Sequence, residues 1–145
     1  MSETTINYVQ YSFSPWEGCT KVSDGCTNCF AFERDKRHLT EKVDHWGPGA
    51  PRRQMSAVYW RQPIAWNRKA GEAMNEAHAV AFTLPTRPRV LCPTLGDWLD
   101  PEVPIEWLAD LLDLIRRTPN LDWLLLTLQW GRAPRSAETK RLRSG

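Results

Sequence analysis

The stretch that decides the fold is 89-RVLCPTLGDWLDPEVPIEWLADLLDLIRRTPNLDWLLLT-127. It opens with a short apolar run and closes with 121-LDWLLLT-127, and such continuous apolar runs are typical of strands buried on both faces. Between them, Pro104 opens a segment with apolar residues at three- and four-residue spacing, which predicts an amphipathic helix. These apolar residues are Trp107, Leu108, Leu111, Leu112 and Ile115. A strand, a helix and a strand within about 39 residues predict a right-handed parallel βαβ unit, and hence an α/β fold.

The chain before this unit contains two more predicted helices separated by loops. Residues 27–40 form the first, because the threonine and asparagine at its start are good N-cap residues. The segment 46-WGPGAPRR-53 contains two glycines and two prolines and is predicted to be a loop. A second helix is expected to open at Pro63, whose fixed φ suits a first turn, and to end before the break at 83-TLPTRP-88.

Length and composition point to a single globular domain. The 145 residues are 41% hydrophobic and include eight tryptophans, enough to bury a core. No apolar run approaches the ~20 residues that a membrane-spanning helix needs, and the N-terminal MSETTINYVQ lacks the basic and then apolar order of a signal peptide. We therefore expect a cytoplasmic protein without a membrane partner, whose cysteines serve metal binding or catalysis rather than disulfides.

The C-terminal segment differs in composition from the rest of the chain. Residues 131–145 carry five basic side chains against one acidic side chain, whereas the whole chain has a formal net charge of only +2. The sequence after Leu128 has no apolar periodicity, so we predict a β/α domain at 1–128 and a basic, disordered tail at 129–145. Such a tail is either a solvated end or a contact for nucleic acid.

Three of the four cysteines lie in 15-PWEGCTKVSDGCTNCFAFERDKRH-38, spaced C-x6-C-x2-C. The separation of Cys26 and Cys29 lets both thiolates reach one metal ion or cluster, and flanking glycines allow the loop from Cys19 to wrap around it. A structural zinc ion normally takes four ligands, and the nearest further candidate is His38. A four-iron cluster held by three cysteines instead leaves one iron open to an exogenous ligand. Both possibilities stay open, as does a third in which the cysteines are small buried apolar residues.

The residues around the cysteines also resemble a known family. PWEGCTKVSDGCTNCFAF resembles the signature of a phage and prophage family of unknown function with a three-cysteine motif. That family is similar to radical S-adenosylmethionine proteins, which place a three-cysteine loop after the first strand of a parallel β/α barrel. The resemblance implies a [4Fe–4S] cluster on Cys19, Cys26 and Cys29, with S-adenosylmethionine on the unique iron. It covers about residues 8–127 and includes the segments 46–53, 60–70, 89–107 and 118–127.

Three departures from the radical S-adenosylmethionine pattern concern the spacing of the cysteines, one aromatic position and the length of the chain. The first gap between cysteines is six residues rather than three, and the aromatic residue that often precedes the last cysteine is replaced by Asn28. Phe30, directly after Cys29, is the candidate aromatic contact for the cofactor. A complete (β/α)8 barrel needs about 250 residues. We therefore expect a partial parallel β/α barrel, C-terminally truncated, with only the first few β/α units of the radical S-adenosylmethionine type.

Further candidate residues follow from the expected position of ligands at the carboxyl ends of parallel strands. Asp97 and Asp100 come after the first strand of the βαβ unit and could meet a ribose hydroxyl, an amine or a metal; alternatively, they are turn carboxylates. Arg52 could bind a phosphate or a substrate carboxylate, or be a surface residue next to a proline. Cys92, midway along an apolar strand, is interpreted as a core residue rather than a ligand.

Three hypotheses for function remain open. The first is a radical-type iron–sulfur enzyme that acts on nucleic acid or a nucleotide. The second is a relative that binds a cluster or a structural zinc ion without catalysis. The third is a non-enzymatic phage accessory protein that binds a host protein such as a defence component. Under each of them, an exposed sheet edge after 121–127 is a candidate surface for homo-oligomer formation.

Overall fold

The structure, a computed structural model, describes residues 8–38, 44–81 and 86–129. Its strands are β1 (Tyr11–Ser12), β2 (Trp16–Glu17), β3 (Arg53–Gln54), β4 (Arg89–Cys92) and β5 (Asp122–Leu125). Its helices are α1 (Phe30–His38), α2 (Ala57–Trp60), α3 (Gln62–Ala81) and α4 (Ile105–Arg116), and a 3-10 turn covers Asp24–Cys26.

A small parallel sheet is the centre of the fold. β4 lies between β1 and β5 and pairs in parallel with both, so that Val90 is opposite Tyr11 on one side and Trp123 on the other. The predicted strand–helix–strand unit is therefore confirmed, with β4, α4 and β5 as its parts, and the chain is a mixed α/β protein. β2 and β3 form a separate antiparallel pair. Across the described ranges the parallel strands make an open three-stranded sheet and not a closed barrel.

The sheet and the helices share one apolar core. β4 contributes Val90 and Cys92, both fully buried, which explains the continuous apolar run in its sequence. α4 contributes Leu111, which belongs to the predicted apolar stripe, and Leu114, which was not predicted; Leu112 of the predicted stripe is 49% exposed. Cys92 is thus confirmed as a core residue. The other members of the core are Phe13, Trp16, Ala70 and Leu121.

Aromatic side chains fix the position of β1 against the helices α2 and α3. Phe13, which directly follows β1, stacks on Tyr59 with 5.0 Å between ring centroids and meets Trp66 and Trp123 edge-on. Tyr11 stacks on Trp66 at 4.4 Å. Aromatic pairs of this kind stabilise a fold beyond the area that they bury. This packing sets the direction in which the chain leaves β1 toward the cysteine motif.

The helix predicted at 27–40 begins later in the structure. The backbone N–H of Thr27 donates to the Asp24 carbonyl, which closes the 3-10 turn and delays the start of α1 until Phe30. Residues 39–43 lie outside the described residues. The start was predicted too early because cap-type residues also favour turns, and here the turn takes them.

The helix predicted to open at Pro63 is α3, which begins one residue earlier and keeps Pro63 in its first turn. The short helix α2 precedes it and was not predicted. Ser56 caps α2, with its hydroxyl accepting a hydrogen bond from the Tyr59 N–H.

Two further expectations concern the tail and the membrane. Of the predicted tail at 129–145, only residue 129 is among the described residues. In the part of the chain that is described, no helix is both long and apolar enough to cross a membrane.

Candidate three-cysteine site

A cavity of about 480 Å³ lies at the carboxyl ends of the three parallel strands. Its walls come from the segments that follow β1, β4 and β5 and from the start of α1. The structure therefore brings the cysteine motif to the edge of the sheet where open α/β proteins bind ligands. The lining includes Cys19, Cys26, Cys29, Phe30, Asp97 and Gln129, with apolar walls formed by Ala31, Phe32, Leu91, Leu126 and Leu128.

Gly18 carries the chain into the cysteine motif where the backbone is tightly packed. Its N–H donates to the Leu95 carbonyl at 3.0 Å, which ties the motif to the connection between β4 and α4. Its φ of +106° lies in the region that favours glycine. A Cβ at this position would overlap the carbonyl oxygen of His45. The residue before Cys19 therefore has to be glycine for the loop to keep this path.

Gly18→Ala is expected to destabilise the protein more than Gly47→Ala. Gly47 has nearly the same φ, +103°, but open space where its Cβ would lie. Both variants carry a backbone cost of roughly 1–2 kcal/mol, and only Gly18→Ala adds the ~1–3 kcal/mol of a side chain forced into filled space. Urea unfolding of the two variants in parallel measures the difference. Equal losses of unfolding free energy would show that the loop can yield at Gly18.

Cys19 is half-buried, and its thiol contacts two polar groups. The thiol donates to the Thr20 carbonyl, with Sγ and the oxygen 3.6 Å apart, and accepts a hydrogen bond from Gln129 Nε2 at 3.3 Å. Burial raises the pKa of the Cys19 thiol to about 11, and the hydrogen bond from Gln129 offsets this only in part. The thiol is therefore protonated at neutral pH, and binding of a metal centre to Cys19 would release that proton.

Cys26 and Cys29 lie on either side of the entry to α1. Cys26 is buried at the end of the 3-10 turn, and Cys29 directly precedes α1, where its carbonyl accepts from the Glu33 N–H. Burial works against ionisation of Cys26, but hydrogen bonds with the backbone of Val22 and Ser23 outweigh it, so the pKa of the Cys26 thiol is lowered. Both cysteines are free thiols. The lowered pKa favours the thiolate form of Cys26, whereas the raised pKa of Cys19 favours its thiol form.

The three thiols share the cavity without gathering around one point. Among the described residues, no three His, Cys, Asp or Glu side chains are grouped so that they could hold one metal ion. His38, considered above as a fourth zinc ligand, belongs to α1, but its side chain is outside the described part of the chain. Cys92 is not a candidate metal ligand, because it lies in the core, where burial raises the pKa of its thiol far above the usual range.

The side chain of Arg52 is fully buried and contacts three loop segments. Its Nε donates to Asp100 at 2.6 Å, and its Nη2 donates to Glu102 at 2.8 Å and to the Thr20 hydroxyl at 2.9 Å. Its Nη1 donates to three backbone carbonyls of the 45–50 loop. A ligand phosphate or carboxylate would have to displace one of these acceptors. Binding of a ligand by Arg52 stays a prediction, while the contacts themselves fix Thr20 and with it the start of the cysteine loop.

Asp97 is buried and ties the end of β4 to the end of β5. Its Oδ1 accepts from the Thr127 hydroxyl at 2.7 Å and from the Leu99 N–H at 2.9 Å, and its Oδ2 accepts from the Leu128 N–H at 2.7 Å. Asp100 closes the same kind of turn by accepting from the N–H two residues further on. Both aspartates thus have the turn contacts considered as the alternative above, and their contact with a cofactor stays a prediction.

Phe30 lies at the mouth of the cavity and is 72% exposed. Leu128, at 53% exposure, also lines the cavity. On the α1 side, Phe32 meets Trp46 edge-on, and the Lys21 ammonium lies 4.4 Å from the centroid of the Phe32 ring. The rim therefore combines apolar side chains open to solvent with a positive charge.

Gln129 is a site residue that the sequence did not reveal. It falls in the segment predicted as the tail, yet its side chain is only 1% exposed and contacts Cys19. One signal in the sequence could have indicated it. Gln129 follows the apolar run of β5 at the carboxyl end of a parallel strand, where residues that face ligands are common.

The fold and the cavity define a class, that of α/β proteins with a three-cysteine loop at the ligand-binding edge of a parallel sheet. The chain belongs to the family described as protein of unknown function (DUF5131), whose model matches residues 3–143. The match spans the cysteine motif and all the strands and helices described above. The comparisons with curated proteins and with solved structures each gave no match.

Proposed function

We propose that this chain is a radical S-adenosylmethionine-like iron–sulfur protein of the phage type. Cys19, Cys26 and Cys29 hold a [4Fe–4S] cluster, and S-adenosylmethionine binds in the same cavity. The observation that carries the proposal is that all three motif thiols line one cavity of about 480 Å³ at the carboxyl ends of parallel strands.

The donor set fits a polynuclear centre better than a single ion. Cysteine thiolates are the usual ligands of iron–sulfur clusters, and a centre several atoms across holds its ligands further apart than one zinc ion does. All three motif cysteines line the cavity, whereas a structural zinc ion normally takes four protein ligands. Three protein ligands leave the fourth iron free for S-adenosylmethionine.

The residues of the chain prepare this cavity in distinct ways. The turn before α1 favours the Cys26 thiolate, which is the form that binds iron. Apolar side chains form much of the cavity walls and offer a surface on which the apolar parts of a ligand can pack. Phe30 offers a flat ring at the mouth, where the adenine of S-adenosylmethionine can pack. When bound, the cluster supplies the electron for reductive cleavage of S-adenosylmethionine.

The rim supports a nucleotide or a nucleic acid as the substrate. Aromatic side chains stack on bases, and nearby cations attract phosphates. Lys21 and Phe30 are exposed and provide one of each. β5 is an edge strand of the described sheet, so a second copy of the chain could extend the sheet there and supply further β/α units of a barrel.

Anaerobic purification with iron, sulfide and zinc analysis tests the cluster. We expect about four irons per chain and a broad visible absorption band from thiolate-to-iron charge transfer. Single Cys→Ala substitutions at 19, 26 and 29 should each remove most of the iron. Cys92→Ala is the matched control and should keep it, because Cys92 lies in the core. One zinc and no iron in the unsubstituted protein would reject the cluster and favour a structural zinc domain.

Catalysis is tested separately on the loaded protein. With a strong reductant and S-adenosylmethionine, we expect 5′-deoxyadenosine to form, and Cys26→Ala should abolish it. If the protein holds the cluster but never cleaves S-adenosylmethionine, cluster binding stands and the enzymatic function is rejected. The accessory-protein hypothesis would then be the one to pursue.

A further inference from the structure

Among the described residues, Gln129 makes one polar contact through its side chain, and this contact is with the sulfur of Cys19. Nε2 lies 3.3 Å from Sγ although the two residues are 110 positions apart in the chain. The side chain is 1% exposed, and within the described residues its Oε1 has no hydrogen-bond partner. A buried carboxamide with a single partner depends on that partner to offset the loss of water.

The direction of this hydrogen bond follows from the other contacts of Cys19. The thiol hydrogen points to the Thr20 carbonyl, with Sγ and the oxygen 3.6 Å apart. A lone pair of the sulfur is therefore left to accept the Nε2–H of Gln129. Deprotonation of Cys19 removes the contact with Thr20 but keeps and strengthens the one with Gln129, since hydrogen bonds to charged groups are the stronger ones.

The backbone of Gln129 is held by a chain of hydrogen bonds that starts at Asp97. Asp97 accepts from the Thr127 hydroxyl at 2.7 Å, and the Thr127 oxygen accepts in turn from the Gln129 N–H at 3.0 Å. The end of β5 is thereby locked to the end of β4. The carboxamide approaches the sulfur from a fixed point of the fold.

We infer that Gln129 is a positioning residue for Cys19, and that its Nε2–H orients the sulfur and stabilises its negative charge. The inference deepens the proposed function and rests on it where it concerns the cluster. Hydrogen bonds to ligating sulfurs are among the factors that set cluster potentials, and outer partners orient the ligands themselves. Because such a bond favours the more negative state, Gln129 raises the reduction potential of a cluster held by Cys19.

The first arm of the test measures that potential. Gln129→Met keeps the approximate size of the side chain and removes the N–H donor, while Gln129→Glu puts a carboxylate near the sulfur. We expect both variants to assemble the cluster with unchanged iron content and a more negative potential, with the larger shift for Gln129→Glu. Leu112→Met, at a position of α4 that is 49% exposed and does not line the cavity, is the control and should leave the potential unchanged. An unchanged potential in Gln129→Met would overturn the inference.

The second arm uses the metal-free protein and needs no cluster. Alkylation by iodoacetamide at one pH is followed for each cysteine by peptide mass spectrometry. If loss of the hydrogen bond raises the pKa of Cys19 by about one unit, the thiolate fraction falls about tenfold. The remaining thiolate is more nucleophilic, which offsets part of this fall, so alkylation of Cys19 should slow about threefold. The rate at Cys29 should not change. A faster or equal rate at Cys19 would mean that Gln129 only fills space, and it would contradict the inference.

The two arms separate the inference from the proposed function. If the unsubstituted protein binds no iron but Gln129→Met slows alkylation of Cys19, the cluster is wrong and the positioning role stands. If the cluster assembles but neither the potential nor the alkylation rate responds to Gln129→Met, the cluster stands and the positioning role is wrong.

Discussion

Arg52→Met is expected to lower the free energy of unfolding by about 3–5 kcal/mol, the usual effect of removing one partner of a buried ion pair. The substitution leaves the Asp100 carboxylate, whose side chain is fully buried, without its cation. It also leaves three carbonyls of the 45–50 loop without the donor that Arg52 provides. Urea unfolding followed by far-UV circular dichroism measures the loss.

Arg53→Met is the matched control for this prediction. Arg53 is adjacent in sequence and also forms an ion pair, with Glu17, but its side chain is 45% exposed. Exposed pairs contribute about 0–1 kcal/mol. Arg52→Lys should fall between the two, because it keeps the charge and loses the planar fork. If Arg52→Met and Arg53→Met lost equal stability, the three loops would not depend on the guanidinium.

Asp97→Ala is the second large effect that we expect, with a loss of at least about 3 kcal/mol because hydrogen bonds to a charged group contribute about 1.5–3 kcal/mol each. The substitution removes the acceptor of the Thr127 hydroxyl and of the Leu99 and Leu128 N–H groups. All of these contacts are partly buried, so water replaces the carboxylate poorly. Urea unfolding again measures the loss, with an unchanged slope showing that the same surface is exposed.

Two comparisons make the Asp97 prediction specific. Asp110→Ala changes an exposed aspartate on α4 and should alter stability by no more than about 0.5 kcal/mol. Asp97→Asn keeps one acceptor oxygen and should lie between the two. A loss in Asp97→Ala no larger than that in Asp110→Ala would mean that the strand ends hold their positions without the carboxylate.

Local pattern was enough to predict the centre of the fold. The apolar run of β4, the helical spacing in α4 and the apolar run of β5 each lie within a few residues, and the short connections left one favoured topology. β1 was not predicted from local pattern, and the position of the cysteine loop at the carboxyl ends of the strands was expected from the resemblance to radical S-adenosylmethionine proteins. The structure places all of these segments on one cavity.

The partners of buried polar side chains could not be predicted in the same way. Arg52 meets acceptors that are 32 to 50 positions away, and nothing in the sequence around it marks it as buried. Gln129 looked like part of a basic tail because neighbouring residues dominate the composition of that window. The late start of α1 is a smaller failure of the same kind, in which a turn took the residues expected to cap a helix.

The contact between Cys19 and Gln129 also bears on when the cavity can exist during synthesis. The motif leaves the ribosome early, but one wall of its cavity is supplied 110 residues later. Contacts so distant in sequence form late in folding, because the intervening loop has to be closed first. Until β5 has docked, the cavity lacks the wall that residues 126–129 form, and the three thiols are exposed to oxidants and to adventitious metals. If the proposed cluster is present, we expect its assembly to follow folding of the chain through Gln129, because the cavity is incomplete before that point.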